Sequence, residues 1–215
     1  MTSPILYGAS YSVYTRIARL ALIEKGVEHE FEEVEIFGPD GPPKAYLRRH
    51  PFGRIPALSH DAFELFETQA ICRYVDESFP GKPLQPSTAQ GRARMAQIVG
   101  ILDSYAYRPM VWDIFVERVR KPSRGQASDE TKIAAALTAS ERCLAVLEGF
   151  MGEARWLAGE SDEPSLADLH AAPMLIYLAV APEGAALLRR HARIEAWLER
   201  MKARPSMLAA ASPLA

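Results

Sequence analysis

Three candidate hydroxyl donors lie in the stretch YGASYSVYTR: Tyr7, Ser10 and Ser12 stand where the apolar run ILY gives way to a helical pattern. A hydroxyl donor beside the free N–H groups of a helix start can stabilise an anion. The plain alternative for Ser12 is a helix N-cap whose oxygen turns to its own backbone. Glu67 and Thr68 occupy a second such junction, between the alternating run FELF and a helical segment. An N-terminus there suits a carboxylate, and Thr68 serves equally as an ordinary cap. The third feature is Pro56 inside HPFGRIPAL (50–58). A proline cannot donate to a strand ladder, so it marks an edge, a bulge or a turn.

These residues must be positioned by elements whose pattern divides the chain in two. Up to about residue 79 strands and helices alternate. ILY (5–7) reads as a buried strand, about Tyr14 to Lys25 as a helix closed by Gly26, and VEI (34–36) as a strand. IPAL, a turn at SHDA, FELF (63–66) and a helix from about Thr68 to Phe79 complete a βαβ–ββα order. PGKPLQPST (80–88) places three prolines in nine residues and reads as a semi-extended linker. The spacing beyond it predicts helices over about 89–119, 129–151, 165–181 and 185–204. Ser128 or Asp129 can cap the second, and Ser165 with Asp168 forms a capping box on the third. Pro173 lies within that third helix, whose segment Ala171 to Ala181 has almost no polar face.

Composition narrows the function. At 215 residues, 48% hydrophobic and 24% charged, the chain has an ordinary globular balance. A net charge of −2 provides no basic footprint for nucleic acid. The N-terminus carries no export pattern and no apolar run reaches the ~20 residues of a membrane span, so a cytoplasmic protein is expected. Cys72 and Cys143 lie far apart within helical patterns and are expected to be reduced and buried. The five histidines show no metal-ligand spacing, and no metal is assigned. No glycine-rich phosphate loop follows a strand.

Four stretches, YGASYSVYTRIARLALIEKG (7–26), HPFGRIPAL (50–58), FETQAICRYVDE (66–77) and RWLAGESDEPSLADLHAAPML (155–175), resemble in order and spacing the cytosolic glutathione transferases, in a bacterial-type form with a serine-type active site. The resemblance implies an α/β thioredoxin-like N-terminal domain (1–80) that binds glutathione, a linker (81–88), and an all-α helical-bundle domain (89–215) for the second substrate. It implies a cis bond before Pro56, with the Ile55 amide and carbonyl turned outward to pair with the cysteinyl unit of glutathione as an added strand. Glu67 and Thr68 would take the γ-glutamyl end. Counted back from Glu24-Lys25-Gly26, Ser12 falls where serine-type relatives carry their catalytic residue, while tyrosine-type relatives place theirs at a position matching Tyr7. Ser12 is therefore the expected thiol activator, with Tyr7 and Ser10 as alternatives; Val13 stands where relatives often have proline. Arg54 or Lys44 is the candidate for the glycyl carboxylate, and His50 replaces the family's usual asparagine.

By the same resemblance the second substrate lies between the domains. Tyr105, Tyr107, Trp112 and Phe115 are candidate walls, with Arg108 at the rim. Phe52 is an expected exposed aromatic that plugs into a neighbouring subunit, so a homodimer is expected. Glutathione is then a cosubstrate, and the reaction is attack of its thiolate on a small, mostly apolar electrophile. The alternatives are a non-catalytic binding or regulatory protein of the same fold, or another glutathione-dependent activity: an isomerase, a dehalogenase or a peroxidase.

Overall fold

The computed structural model describes residues 2–159 and 162–211. Glu160 and Ser161 of the fourth motif stretch, and the last four residues of the expected helical domain, lie outside them. The chain forms two compact units, one running to Leu84 and joined again by the segment from Pro205, the other spanning Gln85 to Arg204.

In the first unit, strands β1 (Ile5–Gly8), β2 (Glu30–Glu33), β3 (Ala57–His60) and β4 (Phe63–Phe66) form a sheet of order β2-β1-β3-β4. β1 pairs parallel with β2 and antiparallel with β3, and β3 pairs antiparallel with β4. A parallel pair needs a crossover, and helix α1 (Val13–Glu24) supplies it; α2 (Thr68–Ser78) follows β4. Side chains alternate across the sheet. Leu6 and Leu58 point into the buried layer with Ile17, Leu20, Ile71 and Val75, whereas Tyr7 and Ala57 join Ala9, Val34, Tyr46 and Ile55 in a second cluster. The chain's return segment α9 (Pro205–Ala209) packs on α1, where Arg16 donates to the Met207 carbonyl at 3.3 Å and Ser206 bonds Glu24.

The second strand differs from the expected VEI. Its ladder is Glu30–Glu33, EFEE, with only Phe31 apolar. An edge strand is held by its backbone and need not carry an apolar repeat, so periodicity favoured the buried residues just beyond it. Val34 is indeed 5% exposed, and its amide still bonds the Gly8 carbonyl at 2.7 Å.

Gly8 ends β1 beneath the first turn of α1. A Cβ at Gly8 would lie 2.4 Å from Thr15 Oγ1 and 2.5 Å from its Cγ2. Thr15 is fully buried and has a short side chain, so it cannot swing away. Gly8→Ala is expected to lower stability by about 1–3 kcal/mol, the usual effect of an extra carbon in a packed site, measured by thermal or urea unfolding. An unchanged midpoint would mean that α1 rides more loosely on the sheet than this contact implies.

The helical unit contains α3 (Ala89–Ile101), α4 (Lys121–Ser123), α5 (Glu130–Met151), α6 (Leu166–Val180), α7 (Pro182–Leu188) and α8 (Ala192–Lys202). Between α3 and α4 the expected single helix winds as wider π-helical turns, Leu102–Ala106 and Arg108–Arg120; the Tyr107 amide reaches back five residues to Leu102. Glu117 in this segment is 1% exposed and accepts from Lys121 at 2.6 Å, Lys132 at 2.9 Å and the Asp129 amide at 3.2 Å. The Lys121 hydrogen bond leads the causes that hold its carboxyl down at about 2.

Asp129 caps α5 by accepting from the Lys132 amide, and Ser165 with Asp168 forms the capping box on α6. The last expected helix, 185–204, is instead two. The chain turns at Arg189–His191, where His191 Nδ1 sits 2.9 Å from Glu148 and Nε2 3.3 Å from Glu141. No glycine marks that break in the sequence; partners on α5 hold it.

Candidate active site

Ser12 is the N-cap of α1, with extended backbone at φ −79° and ψ 127°. Its Oγ accepts the Thr15 amide at 3.2 Å. The plain N-cap expectation is thus met, yet it uses only the oxygen; the hydroxyl proton remains available to donate. The two competing hydroxyls are placed differently. Ser10 gives both its amide (2.9 Å) and its hydroxyl (3.4 Å) to Glu33. Tyr7 is 3% exposed within the Tyr46–Ile55 cluster, its ring covered by the Arg49 guanidinium at 4.3 Å.

The Ile55–Pro56 bond is cis, and both residues are buried. β3 begins only at Ala57, which pairs with Tyr7. Among the described residues the Ile55 amide and carbonyl find no partner in the strand ladder or in the loop and turn bonds around it. Tyr46, from a short 3-10 turn (Tyr46–Arg48), donates its hydroxyl to the Arg54 carbonyl at 2.7 Å and so fixes the approach to Ile55. Burial pushes the Tyr46 hydroxyl's pKa up, which keeps it a donor. Sequence reasoning did not single out Tyr46; its role needs the fold, since Arg54 is eight residues away.

Glu67 has φ 72° and ψ 118°, a left-handed conformation that a glutamate adopts at a cost of about 1–3 kcal/mol unless its surroundings enforce it. It occupies the N-cap of α2 without a side-chain cap, and Thr68, 7% exposed, is the first helical residue. The start of α2 therefore presents backbone N–H groups with the exposed Glu67 carboxylate beside them. His50, which is 2% exposed, packs on Phe66 at 4.7 Å, just before Glu67. Burial lowers its pKa, so the imidazole braces this junction as a neutral group. Arg54 and Lys44 are both exposed, and no contact distinguishes them as the anchor for a further carboxylate.

In the helical unit the candidate walls separate. Phe115 is 3% exposed and packs edge-on against Tyr177 at 4.6 Å, so it belongs to the core of that unit. Tyr105 is exposed, Tyr107 and Trp112 are half-buried, and Arg108 pairs with Asp113 at 3.0 Å. Among the described residues no group of three or more His, Cys, Asp or Glu side chains could hold a metal ion. No described helix is long and apolar enough to cross a membrane.

Residues 6–83 match the family model described as glutathione S-transferase, N-terminal domain, and residues 130–200 match the corresponding C-terminal domain. Glutathione S-transferase F6 of Arabidopsis thaliana is 32% identical over 202 residues, covering 94% of this chain and 95% of that one. The chain belongs to the glutathione S-transferase family. Among solved structures, the transferase F7 of Populus trichocarpa superposes with a TM-score of 0.82 at 30% identity, covering 96% of this chain and 97% of that one. A maize transferase I solved with an atrazine–glutathione conjugate gives a TM-score of 0.81 at 26% identity, covering 97% and 96%. In this transferase the four-stranded mixed sheet with its two helices is the thioredoxin-like half of the fold, and the helical unit is the other.

Proposed function

We propose that this transferase binds glutathione on its first unit and activates the thiol through Ser12. The observation that carries the reading is the pair of open backbone groups at Ile55 lying in one unit with the exposed start of α2. The cysteinyl unit of glutathione pairs with Ile55 beside Pro56 as a short added strand. Its γ-glutamyl carboxylate takes the α2 amides and Thr68, and its ammonium takes Glu67. Arg54 is the candidate for the glycyl carboxylate.

A free thiol with a pKa of about 8.5 is only a few per cent ionised near neutral pH. Lowering that by ~2 units means stabilising the anion by roughly 2.7 kcal/mol. One hydroxyl donor beside the positive end of α1 is of that size. The thiol gives its proton to solvent, and the thiolate attacks an electrophilic carbon, forming the C–S bond as the leaving group departs with its bonding pair or as the π pair of an activated double bond shifts onto its electron-withdrawing group and is then protonated by water. The electrophile is small and mostly apolar, and half-buried aromatics of the helical unit such as Tyr107 and Trp112 are its candidate contacts. Ser12 accompanied by Glu67 and Thr68 favours a working enzyme over a binding protein of the same fold, because a retired site has no use for the set. Phe52, 73% exposed beside His50 and Phe66, is the proposed contact of a homodimer, and the cytoplasm the proposed location.

The test combines retention on immobilised glutathione with conjugation of the thiol to an aryl halide. The parent chain is expected to do both. Glu67→Gln, which removes the charge facing the ammonium, is expected to raise KM for glutathione about tenfold with a smaller change in kcat, the scale of one charged hydrogen bond. Binding without turnover by the parent would leave a glutathione-binding protein, and an unchanged KM would remove Glu67 from the site.

A further inference from the structure

Two glutamates, Glu33 at the end of edge strand β2 and Glu35 just beyond it, grip the turn that carries Ser12. Glu33 and Glu35 flank buried Val34, and both carboxylates reach the segment before Ser12. Glu33 accepts the Ser10 amide at 2.9 Å. Glu35 Oε1 accepts the Tyr11 hydroxyl at 2.8 Å and the Phe37 amide at 2.6 Å, and the Phe37 ring stacks on Tyr11 with centroids 6.1 Å apart. The two residues that lead into Ser12, Ser10 and Tyr11, are thus both held from one neighbouring segment. The backbone at Ser12 is held from within as well, since its amide bonds the Ala9 carbonyl at 2.9 Å.

Tyr11 has one hydroxyl proton, and Glu35 takes it. Burial, followed by Glu35 itself, pushes the Tyr11 pKa well up, so the phenol stays protonated and keeps donating. A phenol committed in this way is not the donor to a thiolate, although it is adjacent to the residue that is.

We propose that Glu35, acting through Tyr11, is a positioning residue that fixes the direction of the Ser12 hydroxyl toward the glutathione sulfur. The inference rests on the assignment of Ser12 as thiol activator. A hydrogen bond that is long or misaligned by ~1 Å can lose as much as ~100-fold in rate, so a clamp of two ordinary hydrogen bonds has leverage beyond its own strength. Glu35 is exposed, so its substitution leaves the buried core intact.

The experiment measures kcat and KM for glutathione in the aryl halide reaction for Tyr11→Phe, Glu35→Ala, their double variant and Glu35→Gln, with Ser12→Ala as reference and thermal midpoints as folding controls. Tyr11→Phe and Glu35→Ala are each expected to lose about tenfold in kcat with KM changed less than threefold. The double variant is expected to be no worse than either single one, because both remove the same link. Glu35→Gln retains an oxygen acceptor and is expected to restore most of the kcat lost in Glu35→Ala. Parental kcat in both single variants while Ser12→Ala is impaired would overturn the clamp and leave Ser12 standing. Multiplying losses, or a loss confined to KM, would also overturn it. A large loss in Tyr11→Phe with Glu35→Ala intact would make Tyr11 itself the donor. Parental activity in Ser12→Ala would instead remove the assignment beneath the proposal.

Discussion

Ser12→Ala is expected to lower kcat for thiol conjugation at pH 7 by roughly 10- to 100-fold, the value of one hydrogen bond to a charged acceptor. The loss should shrink as pH rises. In the proposed mode the parent's bound thiol is expected to ionise about 2 units below its free value; without the donor that limb of the pH–rate profile should move back toward ~8.5, and above it the thiolate forms unaided. KM for glutathione should change little, since Ile55, Glu67 and Thr68 hold the rest of the tripeptide in the proposed mode. Ser12 also caps α1, so the alanine variant should lose about 1 kcal/mol of stability, which the thermal midpoint reports separately. Ser12→Thr retains both the cap and the donor and should recover most of the rate. An alanine variant with parental kcat and an unmoved acidic limb would shift the role to Ser10 or Tyr7. Ser10→Ala and Tyr7→Phe identify which.

The second large effect lies in the helical unit. Asp168 has no exposed surface and accepts four donors: the amides of Leu157 (2.9 Å) and Ser165 (2.8 Å), the Ser165 hydroxyl (2.9 Å) and the Trp197 indole N–H (2.8 Å). Burial pushes its carboxyl above the usual range while all four donors pull the other way. One side chain thus joins the start of α6, the loop before it and the middle of α8. Asp168→Ala leaves four buried donors without an acceptor and opens a void against Trp197. Losses of about 3–5 kcal/mol are expected for breaking such a network. For a chain of this size that lowers the thermal midpoint by roughly 10 °C. Ser165→Ala, which removes one donor and the N-cap side chain, should lower it by only a third as much. A midpoint for Asp168→Ala within two degrees of the parent would show that water replaces the carboxylate in that site.

Local chemistry was legible wherever a short stretch decided the structure. The capping box on α6, Ser12 at the start of α1, Gly26 after it and the FELF strand all follow from residues within four or five positions of one another. The boundary between the two units falls in the proline-rich segment, between Leu84 and Gln85, but the return of the chain to the first unit from Pro205, inside the span 89–215 expected as one helical domain, has no local signal. Of the elements that differ from expectation, two depend on distant partners. β2 is an edge strand with almost no apolar signal, defined by pairing with β1; the break between α7 and α8 is held by Glu141 and Glu148, more than forty residues earlier.

The sequence by itself determined which residue types could activate a thiol and at which helix start they stand, because helix caps and turns are short-range events. Among Tyr7, Ser10 and Ser12 it left the donor open. Tertiary structure placed the three differently: Glu33, twenty-three residues from Ser10, accepts that hydroxyl, the Tyr7 ring is enclosed under Arg49, and Ser12 spends its oxygen on the helix. A hydroxyl has a single proton to give, and whether it is already given depends on groups that only folding brings within 3 Å or so.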